Sequence, residues 1–188
     1  AIGAWIQVLD WTDLGIGNAL VNLLSEANGK NDREAARKHL SSALATICAI
    51  ILVLGIAFAV SHSFIPWSIV FNVQSSLAAS EVGTTVAIVF FFFLLNLPLG
   101  LIGRVYSSYQ EGYAWSLWEI AGSLLGLCGI IIATRLKLGL PFLAFCIVFS
   151  RSLLLMMNAA YVYFLAKPWL RPGLRFVNRE SVSRLFGV

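Results

Sequence analysis

The stretch Asp32-Arg33-Glu34-Ala35-Ala36-Arg37-Lys38-His39, followed by LSSALATICAIILVLGIAFAVS over residues 40–61, decides the fold class. A cluster of cations runs without interruption into an apolar segment of roughly the 20 residues needed to cross a hydrocarbon layer. Asn31 or Asp32 is the expected N-cap, and Glu34 is placed to complete a capping box. Residues 32–39 therefore read as an interfacial helix that continues directly into a membrane span.

The same alternation of apolar run and basic segment recurs along the chain. Spans are expected at 1–25, 40–61, 84–103, 114–134 and 140–166, which gives an all-α membrane protein with about five transmembrane helices. Lys167-Pro168 stops the last span, and a basic tail follows over 167–188. The bulk figures agree: 59% of the 188 residues are hydrophobic, 13% aromatic and only 12% charged, and the mean hydropathy is +0.85, far from an ordinary soluble domain. The chain does not begin with Met and carries no basic n-region, short apolar core and cleavage site. It reads as a fragment that starts inside a helix, without a signal peptide.

Charge placement sets the expected orientation. Lys30, Arg33, Arg37 and Lys38 lie in one loop, Arg104 in the 104–113 turn, and Lys167, Arg171, Arg175, Arg179 and Arg184 in the tail, all on one side of the expected membrane. Only Arg135 and Lys137 lie on the other, so the positive-inside rule assigns loop 26–39 and the tail to the cytoplasm. The net charge of +4 is thereby explained by topology and not by a nucleic-acid partner. The 62–82 loop contains His62, Pro66 and Trp67, with Glu81 its only charge, and Trp67 fits the aromatic belt. Pro98 predicts a kink or break in the third span. Gly122 and Gly126 form a G-x-x-x-G pair suited to close helix packing, with Gly129 one turn on.

Cys48, Cys128 and Cys146 all fall in apolar runs without a CxxC or Cys/His cluster, and read as buried reduced thiols with no metal site. No cofactor is implied. A Gly-rich phosphate loop and a nucleophile elbow are both missing, so the chain does not read as an enzyme. His39 and His62 fall at helix ends and read as interfacial.

Arg151 is the one cation expected inside the membrane, near the middle of the fifth span, where an unpaired guanidinium costs a few kcal/mol. It must face protein or water. Asp13 of the first span lies at a depth within roughly 5 Å of it, by the 1.5 Å rise per residue. Three readings stay open: a buried Arg151–Asp13 pair that fixes helix registry, a cationic site in a polar cavity for an anionic head group, and snorkelling of the side chain to the interface. Asp10 and Asp13 are i,i+3 neighbours on one helix face. Two close carboxylates in low dielectric hold a proton near neutral pH, a device for ion coupling; alternatively, Asp10 simply lies at the outer interface. Gly15, Asn18 and Asn22 form a polar stripe leading to Glu26, which reads either as interhelical hydrogen bonding or as the wall of a wet cavity. Glu119 is expected at the cytoplasmic mouth or paired with Arg104, with ion coupling as its functional reading. Asn96 and Asn158 read as packing residues.

The run Leu9-Asp10-Trp11-Thr12-Asp13-Leu14-Gly15-Ile16-Gly17-Asn18-Ala19-Leu20, followed by Leu24-Ser25-Glu26-Ala27-Asn28-Gly29-Lys30-Asn31-Asp32 and the basic helix Arg33 to Lys38, resembles the second helix and following cytoplasmic loop of polysaccharide flippases of the O-antigen translocase type. These belong to the multidrug/oligosaccharidyl-lipid/polysaccharide exporter superfamily. The resemblance implies that 1–166 is most of a six-helix lobe of a two-lobed transporter, and that 167–188 is a cytoplasmic linker towards a second lobe. It implies flipping of a polyprenyl-diphosphate-linked oligosaccharide across a bacterial inner membrane by alternating access, coupled to a proton or sodium gradient. The implied partners are that lipid-linked oligosaccharide, membrane lipids, the second lobe and the polysaccharide polymerase machinery. On this resemblance Arg151 and Arg104, with Asn18 and Asn22, would bind substrate, and Asp13, Asp10 and Glu119 would couple the ion. A multidrug exporter of the same superfamily and a non-transporting membrane scaffold are the rival readings.

Overall fold

The structure, a computed structural model, describes residues 15–186, Leu77 by its backbone alone. Its helices are α1 (Ile16–Gly29), α2 (Arg33–Ser61), α3 (Trp67–Val70), α4 (Ser76–Ser108), α5 (Gly112–Arg135), α6 (Leu140–Tyr161) and α7 (Arg179–Leu185). A π-helical stretch, Val162–Ala166, extends α6, and 3-10 turns follow at Pro168–Leu170 and Leu174–Phe176. No strand occurs among the described residues. Among the described residues, four segments are long and apolar enough to cross a membrane: Arg33–Ser61, Ala78–Ser108, Gly112–Arg135 and Leu140–Ala166. Residues 1–14 of the expected first span lie outside the described residues; from Ile16 onward the chain is helical.

The entry to α2 shows how local chemistry sets a boundary. Asp32 Oδ1 accepts the backbone N–H of Ala35 at 2.9 Å, as an N-cap should. The Asp32 N–H is itself taken by the Ala27 carbonyl at 2.8 Å. The expected capping box therefore does not form: Glu34 is the second helical residue, one short of the position a box requires, and it pairs with Lys38 at 2.6 Å. Asn31, at φ 52, makes the reversal between α1 and α2.

Helix α4 is longer than its apolar run suggests. It begins at Ser76, inside the expected 62–82 loop, and continues without a break through Pro98. Glu81 thus sits on a helix, and its Oε2 accepts the N–H of Leu140 at 2.9 Å. A carboxylate at the first turn of α6 satisfies an orphan donor and complements the helix dipole. Gly139 makes room for it, since a Cβ there would lie 2.5 Å from Glu81 Oε1.

Helix α6 packs along both α4 and α5, while α1 packs on α2 and α4. In a lipid solvent the hydrophobic effect does not drive helices together, so close backbone approach and hydrogen bonds must do so. A Cβ on Gly122 would lie 3.6 Å from Leu154, on Gly126 3.7 Å from Ser150 and on Gly129 3.1 Å from Cys146. The glycine face of α5 is thus the surface that meets α6. Between α4 and α6, Tyr106 donates its hydroxyl proton to Asn158 Oδ1 at 2.7 Å, with both residues buried. An apolar core of Leu20, Leu24, Leu40, Ile47, Val105 and Leu170 joins α1, α2 and α4 to the tail.

The cysteines differ from expectation. All three are free, but Cys48 and Cys128 are exposed and Cys146 is half-buried. Apolar sequence in a spanning helix marks a lipid-facing side as often as an interior one, so burial does not follow from it.

The tail is no loose extension. Ser41 Oγ accepts the N–H of Gly173 at 3.2 Å, and Ser42 Oγ accepts that of Asn178 at 3.0 Å. Lys167 Nζ reaches both oxygens of Glu111, at 2.8 and 3.0 Å, and lies 4.5 Å from the centre of the Tyr109 ring. Burial pushes the Tyr109 phenol up to about 12, so the ring stays neutral under that ammonium. Helix α7 closes on α1 and α2 with Ser181 and Leu185 buried.

Candidate functional site

Arg151 lies 11 residues beyond Leu140, roughly 16 Å into α6 at 1.5 Å per residue. Its Nη2 stands 3.7 Å from Glu119 Oε1 on α5, and both side chains are 45% exposed. At that distance the contact is an ion pair and not a hydrogen bond. The half-exposure shows that neither group is sealed in the packed interior. Glu119 thus meets Arg151, a partner not expected from sequence, and it lines the same hollow as Arg104. Asp13, the partner expected from sequence, and Asp10 lie outside the described residues.

The pair sits where two hollows meet. One, of about 320 Å³, is lined by Asn96, Gly100, Gly103, Arg104 and Ser107 of α4, by Trp115 and Glu119 of α5, by Arg151 and Leu155 of α6, and by Ile47 and Ile50 of α2. The other, of about 600 Å³, runs between α5 and α6 past Trp118, Gly122, Ser123, Gly126, Leu127 and Ile147, and shares Glu119, Arg151 and Leu155. Helix geometry assembles this wall. Asn96, Gly100, Gly103 or Arg104, and Ser107 recur at three- and four-residue spacing and so fall on one side of α4. Trp115 and Glu119 do the same on α5, as do Arg151 and Leu155 on α6. Gly103 lets the Trp115 indole lie against α4, since a Cβ there would be 3.1 Å from the ring.

Arg104, Arg151 and Glu119 are thus brought into one cavity, with two formal positive charges to one negative among the described residues. The guanidiniums are donors suited to an anion, and the carboxylate is a partner suited to a cation. Asn96 was read from sequence as a packing residue and is also part of the cavity wall. Its Oδ1 lies 2.8 Å from Ser152 Oγ, whose single hydroxyl proton is shared with the Val148 carbonyl, also at 2.8 Å. Trp115 and Ser107 were not singled out from sequence. Their one available signal was their spacing from Glu119 and from Arg104.

Asn18 and Asn22 are not brought to this cavity. They lie on the exposed side of α1, opposite the buried Leu20 and Leu24. Glu26, at the end of their stripe, pairs with Lys30 one turn on. No group of three His, Cys, Asp or Glu side chains suited to a metal occurs among the described residues. His62 is held at the other end of the molecule, with Nε2 3.1 Å from the Gly83 carbonyl and the ring beside Trp67.

The architecture defines an all-α membrane fold whose helices wrap a charged cavity. No protein-family model and no curated protein sequence matches the chain. Among solved structures it is similar to the inward-facing conformation of a multidrug resistance MATE family transporter of the MOP superfamily, with a TM-score of 0.75 at 14% sequence identity. The match covers 98% of this chain and 42% of that one. The chain therefore has the fold of part of a MATE transporter and spans less than half of that protein's length.

Proposed function

We propose that this chain is most of one lobe of an alternating-access transporter that flips a polyprenyl-diphosphate-linked oligosaccharide across a bacterial inner membrane. The carrying observation is that Arg104 and Arg151 line one half-open cavity inside a lobe of transporter fold. Two guanidiniums in a site of reduced dielectric bind a diphosphate by charge-assisted and bidentate hydrogen bonds. The glycan would occupy the polar cavity while the polyprenyl chain stays in the bilayer. The second lobe would close the cavity from the other side, with loop 26–39 and the tail in the cytoplasm. Glu119, with Asp13 and Asp10, would carry the coupling ion. No enzymatic step is needed.

A multidrug or cation antiporter of the same superfamily is the second reading, supported by the likeness to a MATE transporter and by Glu119 in the cavity. A scaffold without transport has less support, since the charged side chains line a hollow instead of being sealed by packing.

Complementation separates these readings. Full-length protein in a flippase-deficient bacterial strain should restore surface polysaccharide, and Arg151→Ala at matched membrane expression should abolish the rescue. Failure of the wild type in several donor strains, with lowered accumulation of cationic dyes, would favour the drug exporter.

A further inference from the structure

The tail segment 171–178 is a loop pinned at both ends by neighbouring buried serines of α2. Ser41 Oγ takes the Gly173 N–H at 3.2 Å and Ser42 Oγ takes the Asn178 N–H at 3.0 Å. Arg37 adds a third tie: its Nε donates to the Arg171 carbonyl at 2.7 Å, and its guanidinium lies 3.8 Å over the Phe176 ring. Between these ties the 3-10 turn presents Leu174, which at 87% is the most exposed large apolar side chain among the described residues. Arg175 and Val177 beside it are also exposed. Arg171 lies with its guanidinium 4.7 Å over the ring of Phe164, itself 61% exposed. A loop held this firmly gains nothing by offering a leucine to water. The mixture of outward aliphatic, aromatic and guanidinium groups is that of a membrane interface.

The height of the loop agrees. Ser61 ends α2, and at 1.5 Å per residue Ser41 lies roughly 30 Å below it, the thickness of a hydrocarbon core. Trp67, whose indole N–H donates to the His62 carbonyl at 3.1 Å, marks the upper boundary as an interfacial aromatic. The serines that hold the loop then fall at the lower boundary, at the end of the molecule where the cations gather.

We propose that loop 171–178 is an interface anchor for anionic phospholipid. Leu174 enters the acyl edge of the leaflet at the basic end, and Arg171, Arg175 and Arg179 hold phosphate-bearing head groups. The anchor fixes the tail, and through Ser41 and Ser42 the basic end of α2, at a set depth. It is independent of what the transporter carries.

The test uses the full-length protein in a cysteine-free background, with Leu174→Cys carrying an environment-sensitive fluorophore, in liposomes of phosphatidylcholine with or without phosphatidylglycerol. The expected result is blue-shifted emission that a lipid spin-labelled near its head group quenches and aqueous iodide does not. Emission typical of water, quenched by iodide and indifferent to lipid, would overturn the proposal. A second measurement leaves Leu174 untouched: selectivity of the unlabelled protein for spin-labelled phosphatidylglycerol over phosphatidylcholine. Arg175→Gln and Arg179→Gln should each lower it by roughly fivefold, from the typical worth of one cation at an anionic surface. Equal selectivity of wild type and the double variant would also refute the anchor.

Discussion

Arg151 carries the functional argument because its position is expensive unless something uses it. A guanidinium at that depth needs a partner or a wet cavity, and here it has Glu119 at 3.7 Å together with an open hollow. The pair is half-exposed, so it contributes little to stability. Glu119→Gln should therefore shift the thermal unfolding of the full-length protein only slightly, by an amount equivalent to about 1 kcal/mol or less. Arg151→Ala should leave the fold standing as well, while binding of a diphosphate-bearing lipid weakens by about 10- to 100-fold, the usual worth of a hydrogen bond to a charged group. Unfolding of Arg151→Ala at expression temperature would mean the arginine is structural. Arg151 and Glu119 were legible as candidates in the sequence because a charge in an apolar run is conspicuous. Their meeting was not, since helix rotation and neighbour choice depend on packing that a single chain of letters does not reveal. Asn18 and Asn22 do not line the hollow that holds Arg151: their spacing fixes a shared, exposed side of α1 but not what that side faces.

The helices themselves were read more reliably than their contacts. Asp32 caps α2 as its residue type suggests, and the G-x-x-x-G pair of α5 packs on α6. Gly126→Leu would drive a branched side chain into Ser150, which a Cβ alone already approaches to 3.7 Å. It should destabilise the lobe by about 1–3 kcal/mol, seen as a lowered unfolding temperature in detergent. Pro98 does not break α4: one proline removes a single hydrogen bond, and the surrounding apolar helix continues through it. The docking of the tail was invisible in sequence because it depends on Ser41 and Ser42, two unremarkable residues whose hydroxyls meet backbone N–H groups more than 130 positions away. Ser42→Ala leaves the Asn178 N–H without that partner, at a cost of about 1–3 kcal/mol if it stays buried. The expected sign is faster proteolysis within 167–186 in membranes while cleavage elsewhere is unchanged. Unaltered proteolysis would show that α7 packing alone holds the tail.

For the molecule as a whole, the positive-inside pattern and the fold make separate statements, and both are open to test. Single cysteines at Asn28 and at Ser75, at opposite ends of the helices, should label from opposite sides of sealed vesicles, with position 28 on the cytoplasmic side. Labelling of both from one side would reject the orientation. The all-α membrane class was legible from composition and apolar run length. The transporter-lobe arrangement came from the resemblance carried by residues 9–38, and the MATE-like fold agrees with it; composition and run length alone do not give helix order and crossing, which come from packing geometry. The most direct examination of function is flipping by purified full-length protein in proteoliposomes, using a fluorescent polyprenyl-diphosphate oligosaccharide and a quencher confined to the outer solution. We expect translocation above that of protein-free vesicles, lost in Arg151→Ala. Translocation unchanged by that substitution, or absent from wild type while a cationic dye is transported, would contradict it.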